Sequence, residues 1–408
     1  MPRMRLTTLL VAVSFALVAV ASPSATAGPA GGRVEWMEVF SPDGTIGRMP
    51  VRLPAVEPSA SAMEVAAAEV VPIEINGSSA TRFDLVFVGD GYTSTQLGLY
   101  HQHVQSKWNE IAAFEPFKSH RTQFNVWQVN VVSAQSGVDN DPTNGVSKST
   151  ALDMRFWCNN TERLLCVNQT KARQFAASVS DVDQVIALAN STKYGGAGGG
   201  VATASGGNAQ AGQIAIHELG HSIGGLADEY DYGGGDCYPY GEPRELNVSR
   251  STAAQMRANQ TKWYRWLGQT SPDGGVVDTY QGGRYYKRCI YRPTSNSIMR
   301  SLGRQFNLPG REAMITAFYR ETGVVEASSG QSIKSAGETL WVKTVGNASV
   351  TWQVDGVTVG TGPEFTPRGL APGTHMVKAI VTDPTDAVRD EQARAQWMTR
   401  TLVWHVTT

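Results

Sequence analysis

Residues 216–230 read Ile-His-Glu-Leu-Gly-His-Ser-Ile-Gly-Gly-Leu-Ala-Asp-Glu-Tyr, and no other stretch limits so sharply what this chain can fold into. His217 and His221 stand four residues apart, so on a helix they lie one turn above the other and face the same way. Two imidazoles presented like that can share one tetrahedral zinc ion, Zn2+. Glu218, beside the first histidine, projects next to the metal, where it could take a proton from zinc-bound water. Ala215, Leu219 and Ile223 form a narrow apolar stripe on the opposite face, enough to hold the helix against a core. Gly224 and Gly225 supply the permissive backbone that ends a helix. The helix is therefore expected to stop just after His221 and let Asp228 fold back toward the metal. A His-Glu-x-x-His match fixes only three positions and arises by chance in long chains. Its weight here comes from the glycine pair, the acid cluster and the export signal on the same chain.

That signal is the N-terminus. Arg3 and Arg5 make a basic start, residues 6–20 an apolar run, and Ala25-Thr26-Ala27 a small-residue cleavage site. Pro23 and polar residues follow too soon for a membrane span, which needs about 20 apolar residues. The chain is expected to be secreted, with residues 1–27 removed after Ala27 and no membrane span. Four cysteines in an exported protein read as two disulfides. Of the three connectivities, the expected one joins Cys158 to Cys166 and Cys237 to Cys289. No C-x-x-C spacing suggests a cysteine zinc site. A net charge of −1 without a Lys/Arg run excludes a nucleic-acid partner.

Length allows two or three domains in 408 residues. Residues 28–72 are rich in Pro, Ala and Ser, with one strand at 34–40 and a turn at Ser41-Pro42-Asp43-Gly44. They read as a short N-terminal segment or a propeptide. From residue 73 to 329, strands at 82–88, 124–132 and 184–189 alternate with helical runs at 94–113 and 171–178, which argues for an α/β layer arrangement. The glycine-rich run 194–207 carries no phosphate-loop pattern and reads as a mobile edge or loop beside the cleft. A last helix is expected at 311–322. From 330 to 408 the texture changes to short strands with turn dipeptides such as Asp355-Gly356, around Trp352 as a core anchor. Strands at that spacing suggest a small all-β immunoglobulin-like sandwich, expected to be a separable module that binds a surface or a large substrate.

A zinc hydrolase needs three protein ligands and one position open to water. In zinc peptidases whose helix ends at a glycine, the third ligand usually lies six residues after the second histidine. Ala227 occupies that place and cannot bind metal. Asp228 is the expected ligand, with the doubled glycine absorbing one residue; Glu229 and then Asp231 remain alternatives. Met299, in Ser297-Ile298-Met299-Arg300, looks like the methionine turn that lies below the metal in the metzincin clan. The order of Asp90-Gly91-Tyr92, Phe124-Asn125-Val126, Ser136-Gly137-Val138-Asp139, Asn190 with Tyr194-Gly195-Gly196, the histidine helix, and Tyr291-Arg292-Pro293 before Met299 resembles the bacterial IgA-peptidase family of secreted zinc metallopeptidases.

The resemblance implies a metzincin-like catalytic domain, one zinc ion and endopeptidase activity on a protein or peptide substrate. It carries over His217 and His221 as ligands, Glu218 as base and Asp228 as third ligand. Tyr230, Tyr285 and Tyr286 are candidates for a phenol that holds the developing oxyanion. The competing expectation is a non-catalytic adhesion or binding protein with a structural zinc, which would be closed by four ligands and need no acid at Glu218.

Overall fold

In the computed structural model, residues 32–54 and 57–408 are described; the expected leader and its cleavage site after Ala27 lie outside them. Phe83–Asp90 (β4) is buried along its full length. Phe83, Leu85 and Phe87 point to one face, Val86 and Val88 to the other, so this strand must be covered on both sides. Its neighbours are Phe124–Asn130 (β5) and Gln184–Ala189 (β6), both parallel to it, as the alternation of strands and helices predicts. Glu69–Glu74 (β3) adds antiparallel to β5 at one edge. At the other edge come Ala202–Ser205 (β8), parallel to β6, and Gly196–Ala197 (β7), antiparallel to β8. The six-stranded order is β3-β5-β4-β6-β8-β7.

Of the two expectations for 194–207, an edge or a loop, the last two strands show the edge, and a buried one. Their small residues allow a close approach that larger ones would forbid. A β-carbon on Gly196 would stand 2.6 Å from the Thr203 carbonyl oxygen and 2.8 Å from Ile214. Glycine here marks tight packing of a sheet edge against the helix beneath it.

Leu97–Ala112 (α2), Gly212–Ser222 (α4) and Leu308–Thr322 (α6) cover one face of the sheet through Trp108, Leu219 and Phe318. Gln169–Ala176 (α3) and the loops around Met154 cover the other. Ala62–Ala66 (α1) precedes β3 and buries no side chain. After α4 the chain forms Gly235–Cys237 (β9), Ala253–Asn259 (α5), Tyr280–Gly283 (β10) and Tyr286–Arg292 (β11), with β11 between the other two strands. Both disulfides pair as expected: Cys158–Cys166, and Cys237–Cys289, which staples β9 to β11.

Two regions flank this body. Gly32–Phe40 (β1) and Ile46–Pro54 (β2) pair antiparallel as a hairpin, with the turn beginning at Ser41. The hairpin sets Met37, Val39, Val51 and Leu53 against Cys158, Leu164, Cys166 and Ala197. At the other end, Val325–Ser328 (β12), Lys334–Ser335 (β13), Leu340–Thr344 (β14), Ser349–Val354 (β15), Val357–Thr361 (β16), Glu364–Phe365 (β17), Thr374–Thr382 (β18) and Thr399–Thr407 (β19) form two sheets, ordered β12-β14-β17 and β13-β19-β18-β15-β16. A short helix, Glu391–Trp397 (α7), precedes the last strand. Trp352 and Trp404 are fully buried in this unit's core, and Ile315 and Tyr319 of α6 belong to the same cluster. The first sheet begins with β12, ahead of residue 330. Among the described residues no helix is long and apolar enough to cross a membrane.

Candidate metal centre

The helix α4 ends at Ser222, one residue past His221. The turn beyond it is closed by the Gly225 amide donating to the His221 carbonyl (3.0 Å) and the Leu226 amide to the Gly220 carbonyl (3.1 Å). Gly225 takes a left-handed φ of +57°, which explains a glycine there. The irregular segment that follows runs back past the histidines. The tight turn between β10 and β11 holds it there, with Arg284 and Tyr285 amides donating to the carbonyls of Asp228 and Tyr230, both at 2.9 Å.

Each histidine is oriented by the backbone around it. His221 Nδ1–H donates to the Leu226 carbonyl (2.6 Å), and His217 Nδ1–H to the Ile298 carbonyl (2.9 Å). A carbonyl only accepts, so the proton sits on Nδ1 and each Nε2 presents a lone pair. The two Nε2 atoms face each other at 3.0 Å. Asp228 Oδ1 lies 3.2 Å from His221 Nε2 and 3.5 Å from His217 Nε2. Below them Met299 is buried; a β-carbon on Gly220, between the histidines, would stand 2.6 Å from its Sδ.

Glu38 of β1 was not foreseen from the sequence. Its Oε2 lies 3.0 Å from His217 Nε2 and 3.4 Å from His221 Nε2, and its Oε1 accepts from the Tyr230 hydroxyl at 2.9 Å. Among the described residues, Glu38, His217, His221 and Asp228 converge closely enough to hold a metal, with ligand-type atoms all within 4.8 Å of one another. The signal in the sequence is slight: an acid between Met37 and Val39 in a strand whose inner end is otherwise apolar.

The donor set fits a cation. Two imidazole nitrogens and two carboxylate oxygens suit zinc, and Asp228 Oδ1 is buried without a hydrogen-bond partner. Burial works against a charge on His217, but the Glu38 carboxylate and then Asp228 outweigh it and push the ring up to about 10. The same carboxylates that favour a proton there favour a metal ion in its place.

Glu218 is buried, with Oε1 unpartnered. Its carboxyl is pushed up to about 8, first by burial and then by the Glu38 carboxylate. Room for it exists because residue 198 is glycine: a β-carbon there would overlap the Glu218 carboxylate at 2.1 Å. Tyr285 donates to Asp228 Oδ2 at 2.5 Å, whereas Tyr286 packs among Tyr238 and Tyr240, away from the cluster.

The two alternative acids face elsewhere. Glu229 is buried among Ser297 (2.7 Å), Asn307 (2.9 Å) and Asn247 (3.0 Å). Asp231 pairs with Arg300.

These features make a candidate metal centre, with one buried acid beside it. The chain belongs to the IgA peptidase M64 family, whose family model matches residues 71–275 and 269–318. Membership makes the protein a peptidase with a protein substrate. None of the curated proteins matches the chain.

Proposed function

We propose that the protein is a secreted zinc-dependent endopeptidase with one catalytic ion held by His217, His221 and Asp228. The observation that carries this reading is the convergence of both Nε2 atoms and Asp228 Oδ1 beside the buried Glu218, whose Oε1 has no partner. Zinc bound there supplies Lewis-acid polarisation of a carbonyl and a more acidic water. Glu218 accepts the proton of the attacking water and passes it to the leaving amine. Its raised pKa suits both directions of transfer. Tyr285 fixes the rotamer of Asp228 through its hydroxyl. Among the candidate phenols we favour Tyr230 for the developing oxyanion, because its hydroxyl reaches the cluster by donating to Glu38.

Residues 73–329 are assigned as a metzincin-like peptidase domain and 330–408 as an immunoglobulin-like sandwich, with β12 contributed from the peptidase side. Residues 28–72 form the N-terminal segment. The sandwich is assigned an accessory role toward a surface or a large substrate. Export fits two disulfides and the leader pattern ending at Ala27.

One observation favours the second reading, a binding protein with a structural zinc. Glu38 completes a set of four ligand-type side chains, and four ligands close a site. The two readings part on Glu218, which a structural site does not need. Protein purified from culture medium is to be profiled on a peptide library with and without a zinc chelator. Glu218→Gln should keep its zinc by elemental analysis and lose about 10²–10⁴-fold in hydrolysis. Near-unchanged turnover in the zinc-loaded variant would refute the mechanism.

A further inference from the structure

We propose that the N-terminal hairpin is an inhibitory prosegment and that Glu38 fills the metal's fourth position until the hairpin leaves. The inference rests on the zinc-peptidase reading and extends it to the regulation of the same site.

The other three ligand-type side chains come from one short segment, residues 217–228, fixed by the helix turn and the β10–β11 turn. Glu38 alone arrives from outside, 179 residues upstream of His217. Taking it away leaves two histidines, Asp228 and Glu218 in place, which is the open arrangement a hydrolase needs. Leaving it in gives the same four residues a closed one.

The remainder of the hairpin is shaped to hold that carboxylate down. Phe40 sets its ring edge on His217 at 5.4 Å between centroids. Arg48, the cross-strand partner of Glu38, lies 3.4 Å from the centre of the Tyr285 ring. Phe40 and Ile46 are fully buried with Tyr230 and Ile214. β1 lies against β7, the edge strand of the sheet, whose Gly196 is bonded on its outer side to Arg163 and Leu165. The hairpin therefore covers the metal ligands and the sheet edge together. His217, Glu218 and Asp228 are all buried beneath it.

Glu38 adds a third buried carboxylate to those of Glu218 and Asp228, and burying it carries a cost that its histidine partners and a bound metal ion offset. A hairpin docked merely for stability would place an apolar residue there, as β1 does at Met37, Val39 and Phe40.

The route of release is visible after the hairpin. Pro58, Ser59 and residues 61–64 are exposed, and α1 has no fully buried residue, only the half-buried Val65. Exposed chain of this kind is where proteolysis concentrates. Hydrolysis of one peptide bond there consumes one water and leaves a carboxylate and an amine. The hairpin is then no longer tethered, and its docking becomes bimolecular and weak at low concentration.

The test uses the full chain loaded with Co2+ and acetohydroxamate as a small probe of the fourth position, followed by the visible spectrum. Wild type should show no change with millimolar probe. Glu38→Ala should bind cobalt one to one and shift its spectrum on adding probe; Glu38→Gln, which keeps the shape of the side chain and its contact with Tyr230, serves if the alanine variant does not fold. A chain carrying a specific protease site in place of residues 58–61 should gain the same response on cutting and hydrolyse peptides at least 100-fold faster. A wild-type response equal to that of Glu38→Ala would overturn the proposal while leaving the zinc peptidase standing. Loss of cobalt from a folded Glu38 variant would overturn it too, by making Glu38 an integral ligand. Failure of wild type to take up cobalt would sink the zinc reading and this one with it.

Discussion

The N-terminal hairpin and the C-terminal β-rich unit are both additions to the peptidase body, yet they are joined to it by opposite means. The hairpin buries apolar side chains against a sheet edge and inserts one carboxylate among the histidines. The C-terminal unit shares its apolar core with α6 and satisfies its polar ties in pairs. Arg82 meets Glu326 at 2.6 Å, and Glu312 accepts from the Arg389 and Asp390 amides at 2.6 and 2.8 Å. Tyr319 donates to Asp383. None of its residues belongs to the metal cluster. The difference teaches where function is stored: disturbing the hairpin should change chemistry, and disturbing the C-terminal unit should change stability.

The largest effect should come from ending the chain at Ser329. That cut leaves β12 without β14 and exposes Ile315, Tyr319 and Val324. Each fully buried side chain of this kind contributes about 1.5–3 kcal/mol. The sum reaches the lower end of a domain's net stability, about 5–15 kcal/mol. The shortened protein should be insoluble or melt far below the full chain in a thermal scan. An unchanged melting temperature would break the comparison and make the C-terminal unit the freely separable module that its regular short strands suggest.

A smaller pair of changes sharpens the contrast within two consecutive residues. Asp228 faces the cluster that the hairpin covers, while Glu229 faces Asn307 at the start of α6, the helix that carries the C-terminal unit. Asp228→Ala should lower zinc affinity at least about 100-fold, more than the loss of a supporting partner costs. Glu229→Ala should keep the zinc but leave buried Asn247, Ser297 and Asn307 groups unpaired, at about 3 kcal/mol. Zinc content after dialysis against a weak chelator, set beside urea denaturation, separates the two. Zinc loss confined to the Glu229 variant would reverse the assignment.

Why one acid was legible and another was not follows from the range of the interactions. Asp228 could be read because a helix period and a glycine turn are local, and seven residues after His221 the chain has few places to be. Glu38 could not, because its place depends on a strand reaching from a different region of the fold, and sequence periodicity carries no long-range register. The same limit explains the glycine-rich run 194–207. Its strands are made by close contact with Ile214 and Thr203, which small residues permit but do not announce. Helices and strands with strong periodicity, β4, α4 and α6 among them, form within a few residues of where the pattern puts them. The short helix α7, with no buried residue, leaves no such pattern.

Tyr319→Phe tests the C-terminal seam with a single atom removed. It deletes a hydrogen bond to a buried carboxylate, and bonds to charged groups contribute about 1.5–3 kcal/mol. Burial works to raise the Asp383 pKa, but His120 and then Tyr319 outweigh it and hold the carboxyl below its usual range. A depressed carboxyl contributes stability above its unfolded value, about 3.9, and loses it as pH falls through the folded value. The variant's deficit in urea midpoint should therefore be full at pH 7 and shrink below pH 4. A deficit that does not shrink would assign it to packing alone.

The smallest effect belongs to Arg48→Ala on the hairpin. Arg48 packs its guanidinium on Tyr285 and, from 4.6 Å, on Trp36, while Tyr285 holds Asp228. Cation–π contacts of this kind contribute about 0.5–2 kcal/mol. Because the contact bridges hairpin and body, its loss should act on docking alone, so the global melting temperature should stay put. Amide exchange in β1 and β2 should rise about 2–30-fold, which is that free energy read through a factor of ten per 1.4 kcal/mol. If exchange in the hairpin is unchanged while the whole protein loses stability, the hairpin is part of the cooperative core. It would then resemble the C-terminal unit, and the contrast between the two regions would fall.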